Sequence, residues 1–262
     1  MKYTRQGISL EYDDIGNGVP LLLIHGFPLD RTMWRSQIAG LQLACRVIAP
    51  DLRGFGHSTD TDGEAVSMET YAEDLRALLD SVNVKQVVLA GLSMGGYIAL
   101  AFLAQYVDRV TGLILANTRA TPDSESAREG RLTNAAKIAE SGSTSVVVES
   151  MAPKMLGPTA KPETVVAVRS MMACQRSPGV MSALRGMAAR PDRSALLPFI
   201  KVPTLIISGS ADVLIPTSDS EVMQTAIPDS RLNIIPEAGH LSNMDKADAF
   251  NDAVREFIGK LV

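Results

Sequence analysis

Short, almost unbroken apolar runs alternate along this chain with stretches where apolar residues recur every three or four positions. Pro20-Leu-Leu-Leu-Ile24, Arg46-Val-Ile-Ala49, Gln86-Val-Val-Leu-Ala90, Gly112-Leu-Ile-Leu-Ala116, Thr204-Leu-Ile-Ile207 and Arg231-Leu-Asn-Ile-Ile235 are of the first kind and predict strands. Their continuous hydrophobicity suits strands covered on both faces, as in a parallel sheet flanked by helices. Ile8-Ser-Leu-Glu-Tyr12 alternates instead and predicts an antiparallel edge strand. Met68, Tyr71, Ala72, Leu75, Leu78, Leu79 and Val82 mark one face of a helix, with Glu69 and Glu73 near its positive end. Phe250, Ala253, Val254, Phe257, Ile258 and Leu261 mark another. Strands and helices in alternation predict an α/β fold with a mostly parallel, doubly wound sheet and right-handed crossovers.

One segment departs from this rhythm. From about Arg119 to Pro198 no strong strand is evident, and helical patterns are punctuated by Gly157-Pro158, Lys161-Pro162 and Ser177-Pro178. The expectation is a core built from residues 1–118 and 199–262, with residues 119–198 as a helical cap over the end of the sheet. Met151, Met155, Met171, Met172, Met181 and Met187 fall in this segment. They suit either an adaptable apolar pocket wall or ordinary filling between helices.

Composition narrows the function classes. The 25 Lys and Arg against 29 Asp and Glu give a net charge of −4, which attracts neither nucleic acid nor an anionic membrane surface. MKYTRQGISLEY has no apolar stretch of the signal-peptide kind, and the tightest apolar run, Leu21 to Ile24, is too short to cross a bilayer. Cys45 and Cys174 form no disulfide framework, and with His25 and His57 isolated there is no metal-ligand spacing. The expectation is a cytoplasmic protein without metal or cofactor, a monomer or small homo-oligomer. Gly54-Phe-Gly56 follows a strand, but Thr59 stands where a dinucleotide fingerprint needs its third glycine.

The chemistry gathers at strand ends. In Gly91-Leu-Ser93-Met-Gly95 a glycine lies two residues to either side of a serine, directly after an apolar strand and before a helix starting near Gly96. A sharp strand-to-helix turn crowds those two positions, and glycine relieves the crowding while the serine oxygen is held above the sheet. Serine needs a base to take its proton. Of three histidines, His240 in Pro236-Glu-Ala-Gly-His-Leu follows the last strand and is the candidate base. Asp212, after the strand beginning at Thr204, is the candidate to orient it. Asp123 competes for that role but lies well past its strand. The backbone N–H groups of Met94 and Phe27 are the candidate oxyanion donors.

Taken in order, His25-Gly26, Asp51-Leu-Arg-Gly-Phe-Gly-His-Ser58, Gly-Leu-Ser-Met-Gly-Gly, Gly-Ser-Ala-Asp and Gly-His resemble the α/β-hydrolase superfamily over essentially the whole chain. The resemblance implies a Ser93–Asp212–His240 triad, a His25 that buttresses the oxyanion loop, a structural Asp51–Ser58 loop, and a Trp34 beside the pocket. Arg119, just past a strand end, is either a binder of substrate carboxylate or a solvated cap arginine. Val213 and Leu241, each next to a triad residue, join His25, Trp34 and Arg119 in the candidate pocket set.

Serine at 93 sets aside the dehalogenase and epoxide hydrolase branches, which the family runs on aspartate. The expected activity is hydrolysis of carboxylic esters with small to medium apolar acyl groups, through an acyl-enzyme. Enol-lactone hydrolysis stands close behind. Carbon–carbon bond hydrolases of the family often carry Asn before the nucleophile, where this chain has Leu92. A receptor-like binding protein with an intact triad is the reading from another class.

Overall fold

The computed structural model describes residues 1–261. Eight strands form one sheet: β1 Lys2–Arg5, β2 Ile8–Ile15, β3 Pro20–Ile24, β4 Arg46–Pro50, β5 Val87–Leu92, β6 Val110–Ala116, β7 Thr204–Gly209 and β8 Ser230–Ile235. Their order across the sheet is β1-β2-β4-β3-β5-β6-β7-β8. β1/β2 and β2/β4 are antiparallel pairs, and every other pair is parallel.

The alternating Ile8–Tyr12 stretch is antiparallel, but it is not the edge. β2 lies between β1 and β4. The edge is the polar Lys2–Arg5, joined to β2 by Gln6 and Gly7, both with positive φ (50° and 81°). Such a two-residue turn matches the twist of a tight hairpin. β1 escaped the hydrophobic pattern because its side chains are largely exposed.

The apolar runs become strands buried from both sides. Leu22 and Ile24 of β3 join the apolar cluster that contains Tyr71 and Phe102, whereas Leu21 and Leu23 join the one that contains Trp34 and Phe250. One face is thus covered by α2 (Met68–Ser81) and α3 (Met94–Gln105), and the other by α1 (Arg35–Leu41) and the last helix, Ala247–Gly259. Ser67 caps α2 by accepting the Thr70 N–H.

Four helices lie between β6 and β7: α4 Glu125–Ser141, α5 Ser145–Met151, α6 Pro162–Ala173 and α7 Ser177–Ala188. Pro162 and Pro178 start α6 and α7, where a missing N–H costs nothing. Met155, Met172 and Met187 are buried in the two apolar clusters, which is gap-filling rather than pocket lining. α8 Thr217–Ala226, α9 Ser242–Asp245 and α10 Ala247–Gly259 complete the chain.

Candidate active site

Ser93 stands alone between the end of β5 and the start of α3, at φ 57° and ψ −116°. A positive φ is uncommon outside glycine, and here the surroundings enforce it. The Ser93 N–H donates to the Ala116 carbonyl at 2.9 Å. Its own carbonyl accepts from Thr118 Oγ1 at 2.8 Å. The glycine spacing has a steric cause: a Cβ on Gly91 would lie 2.1 Å from the Gly95 carbonyl oxygen, and one on Gly95 would lie 2.1 Å from the Ile24 carbonyl oxygen. Gly91 therefore relieves the turn itself, whereas Gly95 lets α3 approach the neighbouring β3.

His240 reaches Ser93 and Asp212 together. Its Nε2 lies 2.8 Å from Ser93 Oγ, and its Nδ1 lies 2.8 Å from Asp212 Oδ2. The other Asp212 oxygen, Oδ1, accepts the N–H groups of Leu214 (2.8 Å) and Ile215 (3.0 Å). Burial alone would raise the Asp212 pKa, but hydrogen bonds from His240, Ile215 and Asn117 hold it below the usual carboxylate value. An ionised Asp212 accepts from Nδ1–H, which leaves Nε2 as a lone-pair acceptor facing the Ser93 hydroxyl. Asp123, the competing acid, is instead enclosed by Arg131 and Arg190.

Asn117 was not evident from sequence. It directly follows β6, has φ 45°, and is buried. Its Nδ2 donates to Asp212 Oδ2 at 2.9 Å and to the Gly239 carbonyl at 3.3 Å, while its Oδ1 accepts from Ser242 Oγ at 2.6 Å. Its position after a strand that ends beside β5 was the available signal.

The loop after β3 runs beside the serine. A Cβ on Gly26 would come 3.5 Å from that of Ser93. Among the described residues, neither the Phe27 N–H nor the Met94 N–H donates to a backbone acceptor outside regular structure. Met94 opens α3, so its N–H is one of the helix's free donors.

The pocket candidates fare differently. His25 is fully buried; its Nε2 accepts the Leu52 N–H and its Nδ1–H donates to the Gly26 carbonyl, both at 3.0 Å. Burial lowers its pKa and keeps it neutral. Both nitrogens are occupied by backbone, so it braces two loops and offers nothing to a substrate. Trp34 is also fully buried and packs on Phe250 at 6.0 Å, within the core. Leu241 is core as well. Val213 differs from these in being 71% exposed. The Arg119 guanidinium faces Asp123 (3.5 Å) and Asp219 (3.8 Å). A groove of about 560 Å³ lies between residues 30–36 and α6, bordered by Met33, Met171, Cys174 and Met244. Ser93, Asp212 and His240 are not among its lining residues.

The family model for the alpha/beta hydrolase fold matches residues 19–247. The chain belongs to the alpha/beta hydrolase fold family. Within this family, a solved thermophilic esterase from Thermogutta terrifontis (malate bound) is 41% identical, with a TM-score of 0.95 over 99% of this chain and 97% of that one. An enol-lactonase solved from Burkholderia xenovorans is 28% identical, with a TM-score of 0.89 over 99% of this chain and 100% of its own. 3-oxoadipate enol-lactonase 1 from Acinetobacter baylyi is 28% identical, covering 97% of this chain and 94% of its own. Among the described residues, no helix of this alpha/beta hydrolase is long and apolar enough to cross a membrane.

Proposed function

We propose that this alpha/beta hydrolase is a serine hydrolase that cleaves carboxylic esters of small to medium apolar acyl groups. The observation that carries the reading is the unbroken chain from Asp212 through His240 to Ser93 Oγ, with 2.8 Å at each link. Its support from relatives is the match to an esterase over almost the full length of both chains.

In this mechanism His240 Nε2 takes the Ser93 hydroxyl proton as Oγ attacks the ester carbonyl carbon. The carbonyl π electrons move to oxygen, and the N–H groups of Met94 and Phe27 donate to that oxyanion. Collapse breaks the bond to the alkoxy oxygen, which leaves as an alcohol with the proton from His240. Water then attacks the acyl-Ser93, giving its proton to His240, and the acid departs as Oγ recovers that proton. Asp212 keeps Nδ1 protonated and stabilises the imidazolium throughout.

Lactones are the second reading, since ring opening uses the same steps and two relatives are named enol-lactonases. The helices between β6 and β7, residues 119–198, serve as the cap over the site. Ser93→Ala tests the assignment: ester turnover falls by roughly a millionfold while the melting temperature stays near that of the wild type. Near-wild-type turnover on a panel of p-nitrophenyl esters and lactones would refute it. Repeated turnover by the wild type separates an enzyme from a receptor-like binder.

A further inference from the structure

The loop bearing His240 is held by a carboxylate that touches none of the reacting atoms. Asp245 Oδ2, at the end of α9, accepts the Gly239 N–H at 2.8 Å and the Gly157 N–H at 2.6 Å. Gly239 immediately precedes His240, and Gly157 lies in the insertion between α5 and α6. The two segments meet backbone to backbone. A Cβ on Gly157 would come 2.0 Å from the Glu237 carbonyl oxygen, and one on Gly239 would come 2.3 Å from the Leu156 carbonyl carbon. The Leu241 N–H donates to the Met155 carbonyl at 2.8 Å, and Lys246 Nζ to Thr159 Oγ1 at 3.0 Å. On the far side, the Gly239 carbonyl accepts from Asn117.

We infer that Asp245 is a positioning residue: it sets the place of His240 by pinning the histidine loop to residues 155–157 of the insertion. The inference rests on His240 being the base of the proposed hydrolase. A single ionised oxygen receiving two N–H groups is a strong and directional restraint. Removing it frees both glycine N–H groups at once, and Gly239 keeps only its hold on Asn117. The second oxygen, Oδ1, is buried without a partner, so an amide fits the same space with its oxygen still facing both N–H groups.

The test compares Asp245→Ala and Asp245→Asn in the full chain. Three quantities are read: kcat and KM on a p-nitrophenyl ester, the rate of covalent phosphonylation of Ser93 by mass spectrometry, and the melting temperature. The expected result for Asp245→Ala is a kcat lower by about 10- to 100-fold, since small displacements of a catalytic group cost that much. KM stays within about threefold, and phosphonylation slows by the same factor as kcat. Asp245→Asn restores both rates to within about threefold, because it keeps the acceptor. If the alanine variant does not fold, Asp245→Ser is read in its place, since its hydroxyl is too short to span both N–H groups.

A lower melting temperature with unchanged kcat and phosphonylation would overturn the inference, as would a loss confined to KM. Wild-type protein that is never phosphonylated at Ser93 would instead defeat the hydrolase reading, whatever Asp245 does.

Discussion

Replacing Asp212 by asparagine exchanges one carboxylate oxygen for an NH2 group, and the structure decides which one. Oδ1 accepts two backbone N–H groups, from Leu214 and Ile215. Placing NH2 there would set donors against donors twice. At Oδ2 it meets Asn117 Nδ2 and His240 Nδ1. The imidazole can adapt by moving its proton, so the NH2 group goes to Oδ2. His240 then accepts at Nδ1 and carries its proton on Nε2, the atom that faces Ser93 Oγ at 2.8 Å. A protonated Nε2 cannot take the serine proton. The same tautomer defect in another serine triad lowers kcat by about 10⁴, or about 5.4 kcal/mol at 1.36 kcal/mol per decade. The new clash with the Asn117 donor costs about 1–3 kcal/mol of stability, a few degrees in Tm for a chain of this size. The assay is kcat on a p-nitrophenyl ester at pH 8, normalised to folded protein, beside thermal melting of both proteins. Turnover within tenfold of wild type, in a folded Asp212→Asn enzyme, would refute the reasoning about donors and tautomers.

Two further outcomes follow from groups around the site. Burial lowers the His25 pKa, so its contribution to stability is complete above the unfolded value of about 6.5 and is lost as the pH falls below it. The urea midpoint should drop between pH 7.5 and 5 by more in the wild type than in His25→Gln, which retains a donor and an acceptor; parallel drops would contradict this. Arg119→Met should leave turnover of a simple apolar ester within about threefold, because the guanidinium is engaged by Asp123 and Asp219. A selective loss on carboxylate-bearing lactones would return Arg119 to substrate binding.

Much of the sheet was legible because a strand covered on both faces leaves a run of apolar residues that little else produces. β1 left no such run, since its residues face water. Ser93, Asp212 and His240 could be read as a set because each follows a strand or sits among glycines that only a tight turn needs. The structure places them within hydrogen-bond reach. Asn117 and Asp245 were not legible. An asparagine or aspartate in a loop has many ordinary uses, and the partners here are distant in sequence: Asn117 meets Asp212, and Asp245 meets Gly157. Side-chain direction was hidden for the same reason. A place beside Asp212 did not bury Val213, and an early strand end did not leave His25 free, because a buried imidazole can be fully engaged by backbone.

The strand order makes the sheet a gauge. Ser93 follows β5 and Asp212 follows β7, with β6 between them. Adjacent strands lie about 4.8 Å apart, so the strands that lead into Ser93 and Asp212 are two such intervals apart, and the His240 imidazole with its two hydrogen bonds spans between the residues that follow them. That interval is set by backbone ladders far more rigid than any loop. Changes in the helices between β6 and β7 therefore leave the spacing of Ser93 and Asp212 alone, while those at residues 155–157 also reach the loop that carries His240.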